Sequence, residues 1–307
     1  MPRRPASDTM VVCASHSPGM LRDAAEEHGA HFRAGIDEAR RRVTAFEPDL
    51  VVFFGSDHRR AFVDSVPAIA LMLAADGLGD LGSPTGSYDV PAQIAEPLAA
   101  SLLAQGFDVT VVRKVALDHG FGQTYGHLIG DLPTVPVIPI YLNCATPPLA
   151  SPGRAYALGR QVGEELSGLG KRVLYVGSGG LSHSPPSLEA TAAGLSDEER
   201  LAVNEAGRAA AREKIVPDWD QAFLARIAKD PESLATLTDA DIAPAGVGAH
   251  EVRTWIAAVA AGATPMETVA YEPVPEWITG MGVVVTTSTG TTSAPLPSPS
   301  EIEQVQP

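Results

Sequence analysis

The sequence contains few cysteines and few basic residues. Cys13 and Cys144 are the only cysteines among 307 residues, and neither belongs to a CxxC motif. Both fall in predicted strands as small apolar residues, which predicts a reducing compartment. Lys and Arg number 22 against 37 acidic residues, giving a formal charge of −15. An acidic chain without a basic cluster argues against nucleic acid or an anionic membrane as the main partner.

Long apolar runs are also missing. No window approaches the roughly eighteen uninterrupted apolar residues of a membrane-spanning helix. The first eight residues, MPRRPASD, are not followed by an apolar stretch of signal-peptide length. The sequence therefore predicts a protein of the cytoplasm with no membrane segment.

Short β-branched runs alternate along the chain with longer segments rich in Ala and Glu. The runs are predicted strands, and they cover residues 9–15, 49–56, 107–115, 136–143, 171–178 and 281–288. The longer segments are predicted helices, and they cover about 21–46, 91–105, 153–169, 196–213 and 251–261. Several strands are apolar throughout, as expected for strands covered on both faces. This alternation predicts an α/β protein with a three-layer α/β/α architecture and a central, mostly parallel or mixed sheet.

The C-terminal residues differ from the rest of the chain. Residues 288–307, STGTTSAPLPSPSEIEQVQP, have no core-forming pattern and predict a flexible tail. Residues 1–287 are predicted to form one domain.

Four of the eight histidines follow predicted strands closely. His16, His58 and His183 come one to five residues after a strand, and His119 follows a fourth strand in VRKVALDHGFGQ. In open α/β sheets, ligands bind outside the carboxyl ends of the strands, where the loops converge. The sequence therefore predicts a functional site at this edge of the sheet, built largely from imidazoles.

Several common motifs are excluded. The GSGG turn at residues 177–180 lacks both the Lys-Ser/Thr of a phosphate-binding loop and the spacing of a dinucleotide fingerprint. No GxSxG nucleophile elbow occurs. His250 and Glu251 begin like a zinc-protease motif, but Thr254 stands where its second histidine is required.

The remaining pattern favours a transition-metal site. Two imidazoles and one carboxylate form the facial triad of non-haem Fe(II) oxygenases, and His16 and His58 are the best imidazole candidates. The pattern alone leaves the carboxylate open. Asp57 and Asp118 each precede a candidate histidine and favour turns or hydrogen bonds to a ring nitrogen. Glu251 begins a helical stretch, where a carboxylate is favoured by the helix dipole without any metal.

The other four histidines have no such placement. His28 and His31 lie three residues apart in AAEEHGAHFR, whose charge favours a solvated helix face. His127 and His250 do not follow strands and are interpreted as structural.

Six segments together resemble the class III extradiol ring-cleaving dioxygenases. GSGGLSHSPP and LDHGF are the specific signatures, and the weaker segments gain by occurring in the same order. The resemblance extends to about residue 287, and its segments are CASHSPG (13–19), LVVFFGSDH (50–58), LDHGFGQ (117–123), RVLYVGSGGLSHSPP (172–186), AHEVRTWIAA (249–258) and PVPEWITGMG (273–282).

The resemblance implies a site and an activity. It implies a mononuclear Fe(II) held by His16, His58 and Glu251, so Glu251 becomes a ligand instead of a helix-terminal charge. It also implies that His183 is the general base and His119 the general acid in extradiol cleavage of a catechol by O2. Residues 1–287 would then be the catalytic domain of a homo-oligomer, a tetramer or larger.

The resemblance also implies a substrate, for which 2,3-dihydroxyphenylpropionate or a related 3-substituted catechol is the leading candidate. Gallate, protocatechuate or an alkylcatechol is the alternative, and a non-catalytic metal-binding relative of the same fold is another. A carboxylate substituent requires a local cation in so acidic a protein, and the candidates are Arg59, Arg60 and Arg253, each also open to interpretation as a surface charge. The segment 187–205 is a candidate for lining the pocket.

Overall fold

The structure is a computed structural model that describes residues 8–23, 25–189 and 195–287. The predicted tail, 288–307, lies outside the described residues. Eleven strands are described, and they are β1 Thr9–Ala14, β2 Leu50–Gly55, β3 Ile69–Met72, β4 Ala75–Leu78, β5 Thr85–Ser87, β6 Thr110–Val112, β7 Val115–Leu117, β8 Val137–Leu142, β9 Val173–Ser178, β10 Met266–Val274 and β11 Thr279–Thr286.

Ten α-helices connect and cover these strands in the described part of the chain. They are α1 Gly19–Arg22, α2 Ala30–Phe46, α3 Ala92–Ala104, α4 His119–Leu128, α5 Pro152–Leu166, α6 Pro186–Glu189, α7 Asp197–Arg212, α8 Pro217–Lys229, α9 Asp239–Ile242 and α10 Val252–Gly262. Short 3₁₀ turns occupy Asp80–Gly82, Pro231–Thr236, Ala243–Ala245, Val247–Glu251 and Pro275–Trp277. None of the described helices has the length and apolar character needed to cross a bilayer.

The main sheet has eight strands in the order β10-β11-β1-β9-β2-β8-β3-β6, and a small sheet has the order β5-β4-β7. The centre of the main sheet is parallel, since β9 pairs in parallel with both β1 and β2, and β2 pairs in parallel with β8. β11 and β3 pair antiparallel with this central group. The predicted mixed sheet is therefore confirmed.

The two faces of the sheet support separate apolar layers. Along β2, Leu50, Val52 and Phe54 belong to one buried cluster, whereas Val51 and Phe53 belong to the other. Alternation of this kind on a strand apolar throughout is what burial on both faces requires. The first cluster includes residues of α3, α5, α8 and α10, and the second includes residues of α2 and α4, which gives the predicted α/β/α layering.

Two predicted elements are divided in the structure. The strand predicted at 107–115 is two short strands, β6 and β7, which belong to different sheets because the chain bends at Arg113 and Lys114. The helix predicted at 21–46 is interrupted before α2, where the Asp23 carboxylate accepts the backbone N–H of Glu27 and His28. His28 consequently precedes the helix instead of lying on it.

Candidate metal centre

Three adjacent parallel strands end at the same edge of the sheet. β9 lies between β1 and β2, and its last residue, Ser178, pairs with Ala14 at the end of β1. His16 follows β1 by two residues, His58 follows β2 by three, and the turn after β9 leads to His183. The predicted origin of these three histidines at one sheet edge is therefore confirmed.

His119 lies at the same site but follows a strand of the small sheet. It follows β7 of the small sheet and is the first residue of α4, so its predicted position at an end of the main sheet was wrong. Asp118 caps α4 by accepting the backbone N–H of Gly120. This cap fixes the start of the helix and turns His119 toward His58, whose ring lies parallel to it with the two centroids 4.2 Å apart.

The Glu251 side chain contacts both His16 and His58. The Glu251 Oε1 lies 2.9 Å from His58 Nε2 and 3.8 Å from His16 Nε2, and the two Nε2 atoms are 3.5 Å apart. All three side chains are largely buried. Two nitrogens and one carboxylate oxygen thus converge on one point, although 193 residues separate His58 from Glu251.

The glycines of the GSGG turn allow this approach. Glu251 ends the 3₁₀ turn that leads into α10, and this junction packs directly against the end of β9. A Cβ on Gly179 would lie 2.5 Å from the Glu251 Cβ, and one on Gly177 would lie 2.8 Å from the Trp255 Cα. The backbone N–H of Gly180 donates to Glu251 Oε2 at 2.7 Å. Gly177 and Gly179 therefore leave room for this junction, and Gly180 holds the Glu251 carboxylate through its backbone N–H.

The four histidines of the site share one hydrogen-bonding arrangement. In each of them Nδ1 faces an acceptor supplied by the protein, which leaves the proton on Nδ1 and the lone pair on Nε2 when the ring is neutral. The pairs are His16 with the Ser178 hydroxyl at 3.0 Å, His58 with Asp118 at 3.0 Å, His119 with Asp80 at 2.8 Å, and His183 with the Leu181 carbonyl at 2.8 Å. Such partners fix ring orientation and are typical of histidines that bind metals.

The charges of the site are strongly interdependent. Burial lowers the pKa of His16 to about 3, although the nearby Glu251 charge opposes this shift, so His16 is neutral. Burial also disfavours a charged His58, but Asp118 and Glu251 more than offset it and raise its pKa well above the usual value. The pKa of Glu251 falls below its usual range, because His16 and His58 outweigh its burial. The buried carboxylates of Asp118 and Glu251 thus favour a positive charge at His58, whether from a proton or from a metal ion.

The donor set fits a divalent transition metal. Neutral imidazoles with one carboxylate suit iron and its neighbours, and the carboxylate supplies charge balance. His119 also offers a ring nitrogen within 4.8 Å of those of His16 and His58. A second group of this size, Asp80, Asp118 and His119, lies beside the first. The described residues therefore include side chains that could hold a metal ion at this edge of the sheet.

Asp118 both orients the ring of His58, a candidate metal ligand, and caps helix α4. We expect Asp118→Asn to weaken Fe(II) binding by roughly 10–100-fold, because the amide no longer fixes the His58 ring with a charge. The Asn side chain has one acceptor oxygen where Asp118 has two, so it cannot accept the backbone N–H groups of both Gly120 and His58, and a loss of about 1–3 kcal/mol of stability is expected. Fe(II) titration and thermal unfolding of the same samples would check this. Unchanged affinity would show that His58 needs no charged partner.

The remaining predicted polar residues lie outside the convergence point. Asp57 accepts the backbone N–H of Arg60, Ala61 and Phe62, which makes it the turn-forming carboxylate that the sequence predicts. His31 is exposed on α2, and His28 is partly exposed beside Asp23.

His127 and His250 also lie away from the convergence point, as the sequence predicts. The backbone carbonyl of His127 accepts a hydrogen bond from Arg40, and the ring of His250 faces Arg253.

Two of the three arginines proposed to recognise a substrate are engaged elsewhere. Arg253 is completely buried and donates to the Ala150 carbonyl, and its other contacts are His250 and Asp239. Arg59 donates to Thr146 and to the Ala145 carbonyl. Neither lines the cavity at the site, whereas Arg60 does.

A cavity of about 310 Å³ opens over the convergence point. His16, His58, His119 and His183 line it together with residues of α1, α7 and the turn at Pro275–Trp277. The segment 187–205, a candidate for lining the pocket, does contribute to the cavity wall. Its lining residues are Ser187, Leu188, Arg200, Leu201 and Asn204, and Arg208 of α7 lies just beyond the segment. The volume is within the range of small-molecule sites.

Sequence reasoning missed Asp80, the partner of His119. Asp80 lies in the 3₁₀ turn after β4, where Leu81 has a positive φ of 48°. Burial alone would raise the pKa of Asp80, but the hydrogen bond and the charge of His119 together have the larger effect. The pKa of Asp80 is therefore lowered, and its side chain is a carboxylate. The only sequence signal is a glycine-flanked turn, GDLG, which gives no indication of a partner 39 residues away.

Comparison with known proteins gives a consistent result. The family described as the catalytic LigB subunit of aromatic ring-opening dioxygenase matches residues 10–282. A protein of Cupriavidus necator named 2,3-dihydroxyphenylpropionate/2,3-dihydroxicinnamic acid 1,2-dioxygenase is 38% identical, over 89% of this chain and 96% of its own. A protein of the same name from Escherichia coli strain K12 is 36% identical, over 88% and 96%.

Among solved structures, an uncharacterized protein of Escherichia coli K12 is 16% identical with a TM-score of 0.48, and the match covers 91% of this chain and 99% of that one. The family match and the two similar enzymes span nearly the whole of the described chain. The chain therefore belongs to the LigB family and is an aromatic ring-opening dioxygenase.

Proposed function

We propose that this dioxygenase cleaves 2,3-dihydroxyphenylpropionate, or a related 3-substituted catechol, by Fe(II)-dependent extradiol cleavage. The printed names of the two relatives support this substrate class. The observation that carries the proposal is the convergence of His16, His58 and Glu251 beside a cavity that is lined by His16, His58, His119 and His183. These five side chains supply both a metal site and two proton-transfer groups.

Glu251, and not His119, is the third ligand in this proposal. An imidazole binds a metal through a lone pair that lies in the ring plane. The His58 and His119 rings are stacked, with centroids 4.2 Å apart and only 18° between their planes, so their in-plane lone pairs lie in separate, nearly parallel planes and are poorly placed to meet at one ion. The His16 and His58 rings are at 88°, and the Glu251 Oε1 lies close to both. This leaves His119 free of the metal.

His183 has the properties of a general base. Its Nδ1 proton is bound by the Leu181 carbonyl, which can only accept, so the lone pair of the neutral ring is on Nε2. Nε2 lies 3.8 Å from Glu251 Oε2, and the His183 side chain lines the cavity. A catechol hydroxyl placed there would lose its proton to His183 Nε2. Bound Fe(II) would supply the positions for the catecholate and dioxygen and the electron density that activates O2.

His119 has the complementary arrangement. Its Nδ1 donates to the Asp80 carboxylate, which holds the ring and accommodates an imidazolium. A proton on Nε2 would then be available to the oxygen atom that takes up charge as the O–O bond breaks. Because its ring stacks on His58, His119 stands beside the metal position without binding it. The two histidines thus approach the substrate as base and acid.

Three further parts of this proposal concern the protein as a whole. We propose residues 1–287 as the catalytic domain, O2 and the catechol as the substrates, and a homo-oligomer as the assembly, a tetramer or larger. A cytoplasmic location stays a prediction.

Anaerobic reconstitution with Fe(II), followed by oxygen-uptake measurements on a panel of catechols, tests the proposed function. We expect stoichiometric O2 consumption and a yellow ring-opened product with 2,3-dihydroxyphenylpropionate, and none after removal of iron by a ferrous chelator. The panel includes gallate, protocatechuate and 3-propylcatechol. Faster turnover of gallate or protocatechuate would contradict the proposed substrate, and full turnover of the chelated protein would contradict the proposed metal.

A further inference from the structure

Helix α7 forms one wall of the cavity over the site. Its residues Arg200, Leu201, Asn204 and Arg208 line the cavity, and their spacing places them on one face of the helix. Arg22, at the end of α1, also lines the cavity. The cavity wall therefore has more cations than the acidic composition of the chain leads one to expect.

Two of the cavity arginines are held by groups near the metal position. Arg60 Nε lies 3.3 Å from Asp80 Oδ2, and its Nη1 lies 3.9 Å from Asp118 Oδ2. Arg200 donates to the backbone carbonyls of His58 and Arg59 at 2.7 and 3.0 Å, which fastens α7 to the loop carrying a proposed ligand. These two arginines thus have structural roles at the site.

Arg22 and Arg208 are in a different situation, because they share one carboxylate. Glu205 Oε2 lies 3.2 Å from Arg208 Nη1 and 3.9 Å from Arg22 Nη1. Within the described residues, it is the one carboxylate within 4 Å of either guanidinium, and its side chain is 65% exposed. Burial and the Arg208 charge lower the pKa of Arg22, and Glu205 only partly opposes this. The pair carries more positive charge than its surroundings neutralise.

The wall beside these two arginines is apolar. Leu201, Trp277 and Ile278 line the same cavity. Arg208 Nη2 donates to the Glu276 carbonyl at 2.9 Å, so its guanidinium is fixed beside the turn that contributes Trp277. An anion with a short hydrocarbon arm would find apolar contact for the arm and two guanidinium groups for the charge.

We propose that Arg22 and Arg208 bind the carboxylate of the substrate side chain and so select catechols that carry a short acidic substituent at position 3. This inference rests on the proposed function and specifies its substrate class. A net charge of −15 repels an anion at long range, so recognition depends on local cations of this kind. Guanidinium groups suit a carboxylate because their donors match its two oxygens.

The test compares 2,3-dihydroxyphenylpropionate with 3-propylcatechol, which has the same carbon arm and no charge. Both are measured with Fe(II)-loaded wild-type protein, Arg208→Met and Arg22→Met, because Met keeps an apolar stem of similar length. Arg212→Met is the matched control, since Arg212 lies one turn further along α7, is exposed and does not line the cavity. Oxygen uptake gives kcat/KM, and anaerobic equilibrium dialysis gives Kd without turnover.

We expect each cavity variant to lower kcat/KM for the acid by roughly ten- to a hundredfold, mainly through KM, and to raise its Kd by a similar factor. Propylcatechol should lose several times less, and its binding also reports that the variants are folded. Arg212→Met should behave as wild type with both compounds.

Equal losses for the two catechols, or no loss for the acid, would overturn the assignment of the arginines. A loss in Arg212→Met as large as in Arg208→Met would also overturn it, because the effect would then be one of overall charge. If wild-type protein cleaved neither compound, the proposed function would fail. The dialysis would still decide on Arg22 and Arg208 in that case, since it does not depend on turnover.

Discussion

His16→Ala, His58→Ala and Glu251→Ala are each expected to lose bound iron and all measurable ring cleavage. Each substitution leaves two of the three proposed metal donors. The loss of iron affinity should therefore exceed the roughly 10–100-fold loss that follows when only the hydrogen-bonding partner of a ligand is changed. Iron is measured by elemental analysis after anaerobic loading and desalting, and activity by oxygen uptake. Glu251→Ala also removes the hydrogen-bond acceptor of the Gly180 backbone N–H, so the melting temperature of this variant is recorded as well.

His31→Ala provides the matched control for this experiment. His31 is an exposed histidine of α2, away from the cavity, and its removal should change neither iron content nor turnover. A variant of His16, His58 or Glu251 that retained stoichiometric iron and normal turnover would remove that residue from the ligand set. If His119→Ala lost iron while Glu251→Ala kept it, the choice between these two as third ligand would be reversed.

His183→Ala and His119→Ala are expected to keep iron and to lose catalysis. A positioned acid or base contributes about 10²–10⁴-fold, so kcat should fall by a factor in this range. Each variant is assayed for iron content, for anaerobic binding of the catechol and for kcat. Retained iron with retained binding would assign the loss to proton transfer.

Asp80→Asn removes the negative charge that faces the Nδ1 atom of His119. It should produce a smaller loss of kcat than His119→Ala, because the amide oxygen can still accept from Nδ1 but no longer stabilises a charged ring. Normal kcat in His119→Ala would exclude His119 as the acid. Loss of iron in either histidine variant would mean that a ligand had been mistaken for a proton-transfer residue.

Local pattern predicted the framework of the site well. The strands β1, β2 and β9 were predicted within one or two residues, because strands buried on both faces are apolar throughout and end at polar, glycine-containing turns. Their parallel arrangement brings His16, His58 and the turn leading to His183 to one edge. Elements without such a pattern were missed. Helix α4 contains three glycines and forms because Asp118 caps it and the core buries it.

Glu251 illustrates what local pattern could not supply. A glutamate at the start of an apolar helix has an ordinary explanation in the helix dipole, and only resemblance to a family favoured a ligand. In the structure, Gly177 near the end of β9 and Gly179 just after it have no side chains, so the start of α10 lies against them and the Glu251 carboxylate reaches His58. This contact joins residues nearly two hundred positions apart.

The sequence by itself determined the α/β class, the strands of the central sheet and the three histidines at their ends, since these follow from periodicities of a few residues. The tertiary structure decided which carboxylate joins His16 and His58, which aspartate holds His119 and which arginines face the cavity. Arg253, two residues from a proposed ligand in sequence, is buried in contacts of its own, whereas Arg22 and Arg208 meet beside Glu205. Side-chain direction and long-range packing decide such contacts, and neither has a local sequence period.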